Sequence, residues 1–106
     1  MRGTPTVTTA YCLSGVMADG SRVRPGSIAH NGYPLGTHVT VSSSPTGARR
    51  FIVRDRIGWG TSLDFWVGSC AQARAWGRRV VHVRRGWHRL VSRSRIVGKG
   101  LSYGRD

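Results

Sequence analysis

Short runs of β-branched and aromatic residues, separated by turn signals, set the hydrophobic pattern of this chain. Residues 6–11 (TVTTAY) form the first run, and residues 37–41 (THVTV) alternate apolar and polar positions as a half-buried strand does. Residues 50–55 (RFIVRD) and 62–67 (SLDFWV) have the same character. Residues 79–84 (RVVHVR) give the clearest alternation. The pattern predicts several short strands.

The segments between these runs predict loops and one helix. Residues 13–26 are rich in SG, DG and PG pairs and are expected to loop over one end of the fold, and SSSPTG at 42–47 predicts a hairpin loop. Ser69 is a suitable N-cap for a short helix at 70–76 (CAQARAW), which Gly77 would end. Within that helix, the expected role of the tryptophan is core packing.

The length and composition predict a single, mainly β domain. A chain of 106 residues has little room for a second core, and fifteen Gly and four Pro indicate many turns. We therefore expect one domain over 1–106, with its core at about 6–91 and a basic, mobile tail at 92–106. No apolar run approaches the roughly 20 residues of a membrane helix. We expect a monomer.

A strong positive charge restricts the class of partner. The formal net charge is +13, and all but one of the seventeen basic residues are arginine. Such a surface attracts polyanions: nucleic acid, anionic cell-wall polymers or acidic lipids. The local clusters that could do this are Arg49, Arg50, Arg78, Arg79, Arg84, Arg85, Arg89, Arg93 and Arg95. A solvated surface that keeps the domain soluble is the alternative interpretation.

Two cysteines, Cys12 and Cys70, leave two alternatives open. A disulfide between them would close a loop of nearly sixty residues and stabilise the fold by roughly 4 kcal/mol. Two buried free thiols are the other alternative, because the compartment is unknown. The first eleven residues contain no secretory h-region, so either a leader has been removed or the protein reaches its target by another route, such as release during lysis.

Only four side chains could act as a carboxyl acid or base, because the chain has four Asp and no Glu. Asp55 and Asp64 lie nine positions apart in DRIGWGTSLDFW, in two strand-like runs separated by a Gly-rich turn. This placement could hold two carboxyls in one cleft, as the cleavage of a glycosidic bond requires. Alternatively, they are ordinary loop acids paired with basic residues.

Three motifs follow one another in a specific order: AHNGYPLGTHV at 29–39, VRDRIG at 53–58 and LDFW at 63–66. With the helix and strand that follow, this order resembles the six-stranded double-psi β-barrel superfamily. The AH…PLGT and DRIG…LD pieces resemble the rare lipoprotein A-like barrels. TAYC, SRVRPGSIA and ARAWGRR resemble the bacterial "3D" (Asp-Asp-Asp) domain, which is shared with membrane-bound lytic transglycosylase A. The resemblance covers about residues 8–83 and implies a mainly β, six-stranded double-psi β-barrel with one short α-helix.

The resemblance implies action on peptidoglycan glycan strands, since the known catalysts of both families are lytic transglycosylases. Asp55 matches the acid of the DRG-type turn, Asp64 the acid of the LD motif, and His30 the histidine of the AH…PLGT motif. The 3D branch has its first Asp just before the PLG turn, where this chain has His30-Asn31. We therefore expect a catalytic set of Asp55, Asp64 and His30 in an extracellular or cell-envelope protein, or in a phage lysis or virion component.

The lytic transglycosylase reaction strictly needs only one carboxylic acid, and the pKa of that acid must lie well above the ordinary value of about 3.9. Burial beside Trp59 or Trp66 would raise that pKa, and Arg54 and Arg56 would lower it. We expect Asp55 to be the acid/base, with Asp64 sharing its proton or orienting the site.

Several further residues are candidates for binding the glycan. Aromatic rings could stack on sugar faces, and core packing is the alternative role for each of them. Two arginines flank Asp55 and could also contact the glycan. These candidates are Tyr11, Tyr33, Trp59, Trp66, Arg54 and Arg56. No His/Cys/Asp cluster has the spacing of metal ligands, so we predict no metal and no organic cofactor.

Two other functions remain open at this stage. One is a non-catalytic, expansin-like module that binds wall polysaccharide. The other is a basic nucleic-acid-binding protein, which predicts salt-sensitive binding and aromatic residues grouped with Arg on one face. We rank the nucleic-acid function last, because the sequence has no recognition helix, zinc finger or RNA-binding motif.

Overall fold

Six strands and one helix make up the part of the chain that the computed structural model describes, residues 3–87. The elements in chain order are β1 (Thr4–Tyr11), β2 (Ser27–Ala29), β3 (His38–Val41), β4 (Arg50–Asp55), β5 (Leu63–Trp66), α1 (Cys70–Trp76) and β6 (Arg79–Arg85). The predicted strands and helix are confirmed to within a residue or two at their ends. The end of the expected core, 88–91, and the expected tail, 92–106, lie outside the described residues.

The strands close into a barrel in the order β1-β5-β2-β4-β3-β6. The β1–β5 and β2–β4 pairs are parallel, and the other four pairs are antiparallel. The predicted fold class is confirmed: the domain is mainly β, with a closed six-stranded barrel and one short helix. Closure leaves every strand with a neighbour on each side, so the barrel has no open edge. Within residues 3–87, no helix is long and apolar enough to cross a membrane.

The barrel interior is filled by inward-facing residues from all six strands, which alternate along each strand with outward-facing ones. In β6, Val81 and Val83 are buried and Val80 is exposed, as the alternation predicted. Phe65 is fully buried and meets Phe51 and Trp76 edge to face. Such contacts favour the core beyond the area that they bury.

The helix begins and ends at the predicted residues. Ser69 accepts a hydrogen bond from the backbone N–H of Gln72, and Gly77 has a φ of 64° and donates its N–H to Ala73. A left-handed φ of this kind favours glycine. On the barrel side, the buried Trp76 donates its indole N–H to the Thr8 hydroxyl at 3.1 Å. The helix is thereby attached to β1.

Cys12 and Cys70 form a disulfide, which decides between the two alternatives that the sequence left open. The bond joins the residue after β1 to the first residue of α1. It closes a loop with a sequence separation of 58 residues. Because Tyr11 immediately precedes Cys12, the crosslink lies beside one of the candidate site residues.

Candidate active site

Asp55 and Asp64 lie on either side of a single residue of the short strand β2. Ala29 pairs with Asp55 on one side and with Asp64 on the other. Strand β2 runs parallel to β4 and antiparallel to β5, so the end of β4 and the start of β5 meet at the same end of the barrel. Neighbouring strands are about 4.8 Å apart, which puts the two backbones about 10 Å apart.

The Asp55 carboxyl is surrounded by hydrogen-bond donors. Its Oδ1 accepts from the backbone N–H of Ala18 at 2.9 Å and of Arg56 at 2.8 Å. Its Oδ2 accepts from the Tyr11 hydroxyl at 3.3 Å. All three groups donate, so both oxygens of the Asp55 carboxyl act as acceptors. These contacts fix the position of the carboxyl at the end of β4.

Asp64 has fewer donors than Asp55 and is half-buried. Its Oδ1 accepts one hydrogen bond, from the Thr9 hydroxyl at 3.0 Å. Burial raises the pKa of Asp64; the Thr9 hydrogen bond acts in the opposite direction, and the negative charge of Asp55 raises the pKa further. Of the two acids, Asp64 is thus the one whose surroundings favour the protonated form.

Tyr11 lies within the electrostatic reach of both acids. Burial raises the pKa of its hydroxyl, and the charge of Asp55, the hydrogen bond to Asp55 and the charge of Asp64 raise it further. The hydroxyl therefore keeps its proton and serves as a donor. Thr9 and Tyr11 are two residues apart on β1 and so point to the same side. Together with the two aspartates they form what we call the carboxylate cluster: Thr9, Tyr11, Asp55 and Asp64.

His30 is held at the edge of this cluster. Its backbone N–H donates to the carbonyl of Asp55, and its Nδ1 accepts from the backbone N–H groups of Gly32 and Tyr33 at 2.9 and 3.1 Å. Because Nδ1 is an acceptor, the proton of the neutral ring is on Nε2. Burial and the charge of Arg56 lower the pKa of His30. These contacts fix the His30 ring and leave Nε2 as one further donor, and its expected catalytic role stays a prediction.

The two candidate arginines beside Asp55 hold loops. Arg54 forms an ion pair with Asp19 at 3.4 Å. The Arg56 guanidinium donates to the carbonyls of His30 and Tyr33, both at 2.6 Å. In the described part of the chain, neither guanidinium has a hydrogen bond to the Asp55 carboxyl. Their expected role as substrate ligands therefore remains a prediction.

The candidate aromatic residues divide by exposure. The Trp59 side chain, on the loop between β4 and β5, is 90% exposed. Asn31 fixes that loop through a reciprocal pair of hydrogen bonds with the backbone of Ile57. Tyr33 packs partly against the core, and Trp66 donates its indole N–H to the Leu13 carbonyl. Trp59 is therefore the one with an open ring surface at the end of the barrel where the carboxylates lie.

Sequence reasoning missed Thr9 and Ala18, each of which contacts one of the two acids. Thr9 could have been found from the alternation of TVTTAY, because it points to the same side as Tyr11. The contact of Ala18 depends on how the loop 13–26 crosses the barrel, which no local pattern encodes. Among residues 3–87, no group of three His, Cys, Asp or Glu side chains is arranged to hold a metal ion.

Comparison with known proteins adds no relative. No protein-family model and no curated protein sequence matches this chain. The closed six-stranded barrel is compatible with the barrel fold that the motif order implied. The narrower resemblance, to the rare lipoprotein A-like and 3D domains, rests on the motifs alone.

Proposed function

We propose that this domain binds bacterial peptidoglycan glycan strands and cleaves them as a lytic transglycosylase. The observation that carries the proposal is the half-buried carboxyl of Asp64, whose pKa is raised, in one cluster with Asp55 and Tyr11. A proton donor beside a charged acceptor is the arrangement that acid-catalysed glycosidic cleavage needs. The motif resemblance supplies the substrate class.

The contacts favour a different division of roles from the one the sequence suggested. Asp55 accepts from two backbone N–H groups and one hydroxyl, so both of its oxygens are already engaged within the domain. Asp64 accepts one hydrogen bond and has a raised pKa. We therefore assign the acid/base role to Asp64. Asp55 raises the pKa of Asp64 and stabilises positive charge at the sugar ring.

The reaction can be written with these groups. The carboxylic acid of Asp64 gives its proton to the glycosidic oxygen as the bond from that oxygen to the anomeric carbon breaks. The resulting carboxylate then takes the proton of the sugar's own 6-hydroxyl as that oxygen bonds to the anomeric carbon. The product is a 1,6-anhydro-muramic end, and no water is consumed. The carboxyl of Asp64 ends the cycle protonated again.

Trp59 offers a platform for the strand. Its loop joins the two strands that carry the acids and is fixed by Asn31 and by Arg78, which donates to the Gly60 carbonyl at 2.7 Å. An exposed indole on a fixed loop can stack on the apolar face of a sugar. Binding energy from this ring would place a neighbouring sugar at the carboxylate cluster.

The test is product analysis on purified glycan strands by mass spectrometry. We expect 1,6-anhydro ends with the wild-type chain and a loss of roughly a hundredfold or more in Asp64→Asn. Asp55→Asn is expected to retain more activity than Asp64→Asn. Asp19→Asn is the matched control, since it removes a carboxylate of the same type from an exposed site, and its activity should stay near wild type.

Two results would contradict the proposal. Full activity in Asp64→Asn would remove that residue as the acid. Retention of the protein on insoluble peptidoglycan without any released product would instead identify a non-catalytic wall-binding module.

A further inference from the structure

Two groups of side chains on the surface repeat one arrangement, an arginine and a histidine both in contact with a larger aromatic ring. In the first group, the rings of His38 and Trp87 stack with centroids 4.0 Å apart, and Arg50 lies over the Trp87 ring at 5.8 Å. Trp87 is fixed by an indole N–H bond to the Phe51 carbonyl at 3.3 Å. Arg50 is therefore held near one position on the outside of the barrel.

The second group has the same composition. The rings of His30 and Tyr33 stack with centroids 4.3 Å apart, and Arg85 lies over the Tyr33 ring at 5.2 Å. A guanidinium on a ring loses less side-chain freedom when it binds an anion than a free one does, because its position is already restricted. Arg50 and Arg85 are both exposed.

The two groups are neighbours on the barrel. Arg85 pairs across the strands with Val39, which directly follows His38 of the first group. Consecutive strand residues point to opposite faces, so Arg85 lies on the inward face at the end of β6 and the His38 group lies beside it on the outer wall. Between them, Thr40 pairs with Arg50 on one side and with Arg84 on the other. We call this surface the arginine–aromatic ribbon: His30, Tyr33, His38, Arg50, Arg84, Arg85 and Trp87.

The ribbon leads to the carboxylate cluster. The backbone N–H of His30 donates to the carbonyl of Asp55, and the Arg56 guanidinium bonds the carbonyls of His30 and Tyr33. A linear ligand that follows the ribbon therefore arrives at Asp55. The one ion pair recorded among residues 3–87 joins Arg54 to Asp19, so the arginines of the ribbon have no carboxylate partner in that part of the chain.

We propose that the arginine–aromatic ribbon binds the carboxylates of an anionic glycan, so that the strand reaching the carboxylate cluster is recognised through its charge as well as its sugars. The inference rests on the proposed function, because that proposal places the cleaved bond at the carboxylate cluster. Guanidinium groups bind carboxylates with two parallel N–H bonds, which suits anionic groups spaced along a sugar chain.

The position of the cluster favours such a glycan over a nucleic acid. A phosphodiester chain carries a charge at every repeat, and one of these would meet Asp55 and Asp64, where like charges repel. A glycan with a carboxylate on alternate sugars can place a neutral sugar there and a charged one on the ribbon. The rings of the ribbon are moreover already in contact with histidine and arginine, whereas single-stranded nucleic acids bind through rings open to their bases.

The test compares two forms of one ligand. Glycan strands freed of their peptides carry a lactyl carboxylate on each muramic residue, and conversion of these groups to methylamides makes the strand neutral. Binding of labelled strands is measured by fluorescence anisotropy with the full chain bearing Asp64→Asn. We expect the charged strand to bind roughly tenfold more tightly at low salt, and this advantage to shrink as salt is added.

Variants locate the effect. In Arg50→Gln/Arg85→Gln the advantage of the charged strand should fall severalfold below its value in Arg74→Gln, because both held guanidinium groups are gone. Arg74→Gln, which removes an exposed arginine from the last turn of α1, should keep the advantage. The arginines beyond residue 87 are common to all these proteins, so the comparison removes their general attraction. Thermal melting checks that each variant is folded.

Three results would overturn the inference: equal binding of the charged and neutral strands, an advantage that survives in the double variant, or single-stranded DNA that binds the ribbon more tightly than abasic DNA and displaces the glycan. The last result would make the ribbon a nucleic-acid surface. This test can succeed even if the proposed function fails. Charge-dependent binding without 1,6-anhydro products would support the binding role of the ribbon and contradict the proposed catalysis.

Discussion

Removal of the Cys12–Cys70 disulfide should lower the stability of the domain more than any single surface change. The perturbation is the double variant Cys12→Ser/Cys70→Ser, which leaves small polar side chains at both positions. With a sequence separation of 58 residues, the loop-closure relation gives a loss of about 4 kcal/mol at 25 °C. Small domains have total unfolding free energies of about 5–15 kcal/mol, so this loss is a large fraction of the whole.

The assay is equilibrium urea unfolding followed by tryptophan fluorescence. We expect a lower midpoint and a lower extrapolated free energy in the double variant, and the same shift when the wild type is treated with a reductant. The reductant should leave the double variant unchanged, which makes that variant its own control. A difference below about 1 kcal/mol would refute the loop-closure account. Pairing of β1 with β5 and β6 does not need the crosslink, so we expect Tyr11 to keep its place and activity per folded molecule to persist.

Two further predictions concern the pH dependence and the core. The pKa of Asp64 is raised above 3.8, so the folded state holds this proton more tightly than the unfolded chain, and the contribution to stability is lost as pH rises from 3.8 through the raised pKa. Urea unfolding across pH should therefore show a smaller loss of unfolding free energy with rising pH in Asp64→Asn than in wild type. Asp19 contributes with the opposite sign, because hydrogen bonds donated by Ser21 lower its pKa. Equal curves for wild type and Asp64→Asn would contradict the raised pKa of Asp64. Trp76→Phe removes the indole bond to Thr8 and part of the core volume, and should cost about 1–3 kcal/mol by urea unfolding; an unchanged midpoint would mean that the bond adds nothing.

The sequence predicted the elements that have a strong local pattern. Alternation in RVVHVR correctly separated the two faces of β6, and Ser69 and Gly77 correctly predicted the ends of α1. Strand β2 was not predicted, because three residues are too short to show a period. Yet β2 separates the two acids in the barrel. A nine-residue spacing could therefore suggest that Asp55 and Asp64 share one end of the fold, but not that Ala29 lies between them.

The roles of the two acids could not be read from the sequence either. Asp55 lies between two arginines, which suggested charge effects from its neighbours, but those guanidinium groups bind Asp19 and backbone carbonyls. Two of its three donors come from Ala18 and Tyr11, which are distant along the chain. The burial that raises the pKa of Asp64 likewise comes from packing between strands. Non-local contacts of this kind cause the raised pKa of Asp64.

The most direct test of the central claim, that the carboxylate cluster cleaves glycan strands without water, is digestion in ¹⁸O-labelled water followed by mass spectrometry of the new ends. The proposed reaction predicts 1,6-anhydro-muramic ends that contain no ¹⁸O and that disappear in Asp64→Asn, because the new bond is made by the sugar's own hydroxyl. New reducing ends carrying ¹⁸O would show hydrolysis and contradict the mechanism. The absence of any new ends with the wild-type protein would contradict catalysis altogether.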